Sequence, residues 1–303
     1  HQHLDHQLAL GYDYLLIDPA NFYFPHVERP RAWTTDGWRQ YQMAGLRTIS
    51  CRADLERYPW PDPAAADLAR LDRAATVMPD GMKAISGLTG VFETARNLLG
   101  FEAICYLLHD EPDLVADTID RIGECVVGMV ALLAAHPAVG AVYLADDLGW
   151  HAQTLVAPEV LERLVFPWHE RVVAAVHAAG KPAILHTCGN VNSVLDRVVA
   201  CGWDAKHSFE DAIGPVWEVK QQVAGRIALL GGFDVHRLAR MTPDQVRLHA
   251  LDMLERCAPG GGYALGSGVC VASYVPVENY LAMVAACHEY NGVSPTASQP
   301  STS

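Results

Sequence analysis

The chain has 303 residues, half of them apolar, and a formal net charge of −13. That length, with no Pro-, Gly- or charge-rich linker, predicts one large domain rather than two small ones. The acidic balance excludes nucleic acid as a partner, because such binders concentrate Lys and Arg against phosphates. No run reaches the roughly 18 apolar residues of a membrane span.

The first ten residues, HQHLDHQLAL, lack the basic-then-apolar order of a secretory signal, so a soluble, cytoplasmic protein is expected. They carry no initiator Met and read as the interior of a domain, which makes sequence missing upstream the expectation. YDYLLI from Tyr12 is the first predicted strand. From about Asn21 to Pro79 the chain is rich in Pro, Trp, Tyr and charge, a composition expected to give loops and short helices over one end of the fold, as a lid.

From Lys83 onward, short apolar runs alternate with longer segments of helical period, the pattern of repeated β-α units and a parallel sheet. The runs are KAISGL from Lys83, AVGAVYLA from Ala138, PAILHT from Pro182, AKHSF from Ala205, RIALLGG from Arg226 and YALGS from Tyr263. Between two of them, Pro158 opens one predicted helix that Gly180 closes, with Val160, Leu161, Leu164, Val165, Val172 and Val176 at helical spacing. His169 and His177 on it read as surface or packing residues. Seven runs plus one missing strand make eight. A doubly wound open sheet would show a Gly-rich phosphate loop after its first strand, and none is present. The expected fold is therefore α/β, a single-domain (β/α)₈ TIM barrel over residues 1–291, with a disordered Ser/Thr/Pro-rich tail over 292–303.

Barrel enzymes place their chemistry where strands end. The polar residues at those positions are Asp146 and Asp147, His186 and Cys188, His207 and Glu210, Asp234, and Cys270. Side chains two apart on a strand share a face, so His186 and Cys188 both turn to one side, and imidazole with thiolate suits zinc. An isolated His-x-Cys pair is more often packed core than metal site. Here Gly189-Asn190 implies a tight turn directly after it, and other ionisable groups end the neighbouring strands. Adjacent Asp146 and Asp147 point to opposite faces, so only one faces the pocket; the alternative for Asp146 is capping a helix or balancing a cation. Asp234 reads equally as a helix N-cap, and His207 as either a residue orienting a ligand or a satisfied core histidine. Cys51, Cys105, Cys125, Cys201, Cys257 and Cys287 have no ligand spacing and are expected to be reduced thiols.

The run DDLGWHAQTLVAPEVLERLVFPWHERVVAAVHAAGKPAILHTCGNV resembles the uroporphyrinogen decarboxylase superfamily, as do YPWPDPAAADL, GLTGVFETARNLLGFE and LGSGVCVASYVPVENYLAMV in the same order. The resemblance covers nearly the whole chain and implies a (β/α)₈ barrel with its site at the strand C-termini. It also implies one of two chemistries, porphyrinogen decarboxylation or zinc-dependent methyl transfer between a corrinoid and an acceptor. The decarboxylases' Arg-rich N-terminal motif, and their His where this chain reads LGSG, are missing. The methyltransferase branch carries His-x-Cys and a distant Cys, which implies zinc held by His186, Cys188 and Cys270. Should Cys270 not serve, Asp146, Glu210 or Asp234 supplies an oxygen. The resemblance further implies a partner protein carrying the corrinoid (cobalamin), a small-molecule acceptor such as a thiol, and a homodimer. Asp147 or Asp146 would orient the substrate or manage a proton, with His207, Glu210 and Asp234 as further catalytic candidates. The competing readings are a porphyrin-pathway decarboxylase and a non-catalytic binding barrel.

Overall fold

Every apolar run named above contains a strand. In the computed structural model, residues 2–19, 21–25, 31–34, 37–40, 47–223 and 225–293 are described. Their strands are β1 (Leu15–Leu16), β2 (Arg31–Thr34), β3 (Gly37–Gln40), β4 (Ala84–Thr89), β5 (Val139–Ala145), β6 (Ala183–His186), β7 (Ala205–His207), β8 (Ala228–Leu230) and β9 (Tyr263–Ala264). The chain divides into two compact units. One comprises His1–Leu15, Val77–Lys83 and Asp204–Ser303, the other Leu16–Thr76 and Ala84–Trp203.

In the second unit β4, β5 and β6 pair in parallel, with Thr89 opposite Ala145 and Ala145 opposite His186. Parallel neighbours need a crossover. Helices Val91–Leu99, Phe101–Asp110 and Pro112–Ala135 supply it between β4 and β5, and Pro158–Leu164 with Phe166–Ala178 between β5 and β6. The longest of these starts with Pro112 in its first turn, where a missing N–H is harmless. It buries Leu114, Val115, Ile119, Ile122, Val126, Met129, Val130 and Leu133, one stripe at helical spacing.

The expected single helix from Pro158 to Ala179 is two helices. Val165 joins them, and Pro167 lies in the first turn of the second. Pro167 has no N–H to give the carbonyl four residues back, and its ring crowds that carbonyl, so the first helix stops. Of the two histidines expected to be surface or packing residues, His169 is completely buried and packs, and His177 is exposed.

In the first unit β7, β8 and β9 also pair in parallel, with His207 opposite Leu230 and Leu230 opposite Ala264. Helix Val216–Val223 connects the first two, and Val235–Arg240 and Pro243–Cys257 the second pair. Thr242 and Gln245 form a reciprocal capping box at the start of the last. The Asn279 amide donates to the Leu238 and Met241 carbonyls, tying helix Val277–Tyr290 to the end of its neighbour.

The segment expected to form a lid contains the antiparallel β2–β3 hairpin, helices Arg52–Arg57 and Ala69–Val77 and a short 3₁₀ turn, Pro63–Ala65. Residues 26–30, 35–36 and 41–46 of it, and 294–303 of the expected disordered tail, lie outside the described residues. Among the described residues no helix is long and apolar enough to cross a membrane.

Packing in the second unit leaves no slack at Gly123. A Cβ there would lie 2.1 Å from the Trp168 ring, whose indole N–H is fixed to Asp120 at 3.0 Å and whose face carries the Arg171 guanidinium at 4.1 Å. Gly123→Ala, a change that raises helix propensity, is therefore expected to destabilise the protein by about 1–3 kcal/mol through overpacking. Urea unfolding measures this, and an unchanged or raised midpoint would contradict the packing account.

Candidate metal centre

Strand alternation decides which side chains meet. On β5 and just beyond it Tyr143, Ala145 and Asp147 lie on the partly open face, while Leu144 and Asp146 are buried on the other. On β6 and beyond, Ile184, His186 and Cys188 take the open face and Leu185 and Thr187 the buried one. Because Ala145 pairs with His186, the open-face residues at both strand ends converge.

Cys188 Sγ lies 3.3 Å from His186 Nε2, and Asp147 Oδ1 lies 3.8 Å from the same nitrogen. The Cys188 backbone N–H donates to Asp147 Oδ1 at 2.8 Å. Among the described residues these three form the one group of His, Cys, Asp and Glu whose ligand atoms all lie within 4.8 Å of one another. Each is half-buried, so the group is neither sealed in the core nor free in solvent.

The loops after the two strands are laced together. Leu148 N–H donates to Thr187 Oγ1 at 3.1 Å, Gly149 N–H to the Cys188 carbonyl at 3.2 Å, and Asn190 N–H to the Trp150 carbonyl at 2.6 Å. Gly189 has φ of +77°, and a Cβ on it would lie 2.2 Å from the Gly149 carbonyl carbon. Only glycine fits such a backbone crossing, which accounts for the Gly directly after the His-x-Cys pair.

Of the two adjacent acids, Asp147 is the one that faces the group. Asp146 takes the helix-capping alternative weighed for it rather than a place at the open face. Asp146 is fully buried, and its oxygens accept from the N–H groups of Phe92 and Glu93 and meet His169 Nε2.

Sequence reasoning missed Glu93 and His169. Glu93 stands in the first turn of the helix after β4, near Asp147. Burial, then the nearby Asp147 charge, push the Glu93 carboxyl above the usual range, partly opposed by Arg96 at 3.7 Å. The only available signal for Glu93 was its place in the GLTGVFE motif.

The other candidates belong to the first unit. His207 Nε2 meets the Ser267 carbonyl at 3.2 Å. Glu210 is half-buried, and its main-chain carbonyl accepts from Ile213 and Gly214. Asp234 caps the following helix, accepting from His236 and Arg237 N–H, which is the alternative weighed for it. Cys270 is exposed and lies outside the clustered group.

A family model, uroporphyrinogen decarboxylase (URO-D), matches residues 47–290. The chain belongs to that family. Among curated proteins it is 27% identical over 208 residues to the methylcobamide:CoM methyltransferase MtaA of Methanosarcina barkeri (strain Fusaro / DSM 804), covering 68% of this chain and 58% of that protein. It is 28% identical over 255 residues to a uroporphyrinogen decarboxylase of Anaeromyxobacter dehalogenans (strain 2CP-C), covering 80% of this chain and 69% of that one. A methyltransferase from Methanosarcina mazei shares the fold, with TM-score 0.69, 19% identity and cover of 95% of this chain and 84% of that one. The chain thus spans less than two thirds of the MtaA protein it matches.

The cysteines differ in reactivity for physical reasons. Burial pushes the Cys201 thiol up to about 12 and the Cys257 thiol up to about 11, so both stay protonated at neutral pH. Cys51, Cys105 and Cys270 are exposed. Alkylation at about pH 8, near the ordinary thiol value, should label the exposed three in the native protein and reach Cys201 and Cys257 only after unfolding. Peptide mass mapping reads the outcome, and native labelling of Cys201 at the rate of Cys51 would refute the burial argument.

Proposed function

We propose that this chain is a zinc-dependent methyltransferase on a (β/α)₈ barrel, moving a methyl group between a corrinoid carried by a partner protein and a small-molecule acceptor such as a thiol. The observation that carries the reading is the meeting of His186, Cys188 and Asp147 at the ends of two paired strands. The donors fit the ion, since imidazole, thiolate and carboxylate are all zinc ligands, and half-burial suits a site that must admit a substrate. The MtaA relative is a methylcobamide:CoM methyltransferase, which supports a corrinoid as donor.

In this reading His186 and Cys188 hold the ion and Cys270 completes the set. Bound zinc supplies Lewis acidity, which keeps an acceptor thiol ionised near neutral pH. Asp147, fixed by the Cys188 N–H, orients the incoming acceptor. Ala145 and Ile184, further back on the same face, offer an apolar floor against water.

Protein purified without chelator is expected to hold about one zinc per chain, and His186→Ala with Cys188→Ala to lose it. Zinc should slow alkylation of Cys188 and be required for methyl transfer from methylcobalamin to a thiol. Cys270→Ser should weaken zinc binding. Retention of zinc by Cys270→Ser together with its loss in Asp147→Asn would instead make Asp147 the third ligand. Full activity of metal-free protein would overturn the reading. The decarboxylase relative, matched over 80% of the chain, supports a second one, which chelator-insensitive release of CO₂ from a porphyrinogen would favour.

A further inference from the structure

The N-terminus of helix Val91–Leu99 has no cap of its own. Its N-cap residue is Gly90, which has no side chain to offer. The N–H groups that a capping side chain would ordinarily take, at the second and third helical positions, belong to Phe92 and Glu93. Both are taken by Asp146, 54 and 53 residues away in sequence, with Glu93 N–H at 2.7 Å from Oδ1 and Phe92 N–H at 3.1 Å from Oδ2. The helix therefore depends on a strand-end carboxylate for its cap, and the carboxylate depends on the helix for its burial.

A third group completes the arrangement. His169 Nε2, from helix Phe166–Ala178, meets Asp146 Oδ2 at 2.9 Å, and both side chains have zero exposure. The imidazole stands edge-on to the rings of Phe166 and Trp203, 5.9 and 5.4 Å away between centroids. Its Nδ1 is buried without a hydrogen-bond partner among the described residues. An orphaned ring nitrogen is a penalty that a Leu or Phe in the same apolar niche would not incur. The one polar contact that offsets it is the contact with Asp146.

The consequence lies one residue further on. The Asp146 N–H donates to the His186 carbonyl at 2.9 Å, so the residue that joins two helices also holds the strand end bearing His186. Asp147 follows it directly. Its carboxylate accepts from the Cys188 N–H at 2.8 Å. Asp146 is thereby tied to the helix start through its side chain, and Asp146 and Asp147 together hold both ends of the His-Thr-Cys segment.

We propose that Asp146 and His169 are the positioning pair of the metal centre: they bind no ion or substrate, but fix Asp147 and the His186–Cys188 strand end. The inference rests on the metal-binding reading above. A pair serving only to hold the fold would change the melting temperature and leave the ligand geometry alone. A positioning pair changes metal affinity and the ligand field.

The test uses the full chain loaded with zinc or with Co²⁺, measuring zinc affinity by chelator competition and the Co²⁺ visible spectrum, with the melting temperature alongside. His169→Leu fills the niche without a donor, His169→Gln keeps a side-chain N–H for Asp146, and Asp146→Asn keeps the shape without the charge. His169→Leu and Asp146→Asn should weaken zinc binding by about 10–100-fold, the usual effect of losing an outer-shell partner, and alter the Co²⁺ bands. His169→Gln should recover most of both. Wild-type zinc affinity and an unchanged spectrum in His169→Leu and Asp146→Asn would overturn the proposal whatever their melting temperatures, as would equal loss in His169→Leu and His169→Gln. Should Asp146→Asn not fold, the two His169 variants decide alone. Wild-type protein that takes up neither ion would fail the metal reading itself, an outcome separate from variants that bind as the wild type does.

Discussion

A carboxylate removed from water needs donors for its lone pairs, and the source of the donors for Asp146 governs much of the second unit. Two come from the first turn of Val91–Leu99 and one from His169, so strand β5 is attached to helices that lie on either side of it in sequence. Strand alternation then leaves Asp147 no choice of face. If Asp146 is buried against the helices, its neighbour must turn to the opposite side, where the register of β5 against β6 has already placed His186 and Cys188. The convergence of Asp147, His186 and Cys188 follows from the burial of a fourth group that is not among them.

The electrostatics of that convergence favour a cation. Glu93 and Asp147 are like-charged neighbours, and the carboxyl of Glu93 is raised by burial and by that neighbour. Arg96 offsets this only in part, across 3.7 Å. Such a cluster would repel a substrate bearing many carboxylates, the class a porphyrinogen decarboxylase must grip with clustered Arg. Under the proposed reading a divalent ion beside Asp147 would relieve the repulsion, and His and Cys donors would favour zinc over the hard cations. Local charge and donor softness thus agree, where the overall charge of −13 only excluded a polyanionic ligand.

The strands were legible because each is a short apolar run bounded by polar or turn residues, from YDYLLI to YALGS. Four of them are only two or three residues long in the structure, β1, β7, β8 and β9, yet their runs were still visible, because in a parallel sheet both faces are covered. The helix from Pro158 was legible in its face but not in its continuity. Apolar spacing continues across Val165, with Leu161, Val165, Val172 and Val176 all buried, and Pro167 was the letter that marked the break.

The site was half legible for a related reason. Periodicity reports which face a residue occupies and says nothing of what lies across from it. The His186 and Cys188 pairing came from a spacing of two on one strand, and the choice between Asp146 and Asp147 stayed open because parity alone does not say which parity is inward. Yet His169 held the answer. Counting along the buried stripe of its helix, Val165, His169, Val172 and Val176 fall at steps of four, three and four, so the histidine stands where an apolar residue belongs. A histidine in that position needs a buried polar partner. The carboxylate that satisfies it must point toward the helices, and of two adjacent acids on a strand the other is then the one that faces the chemistry.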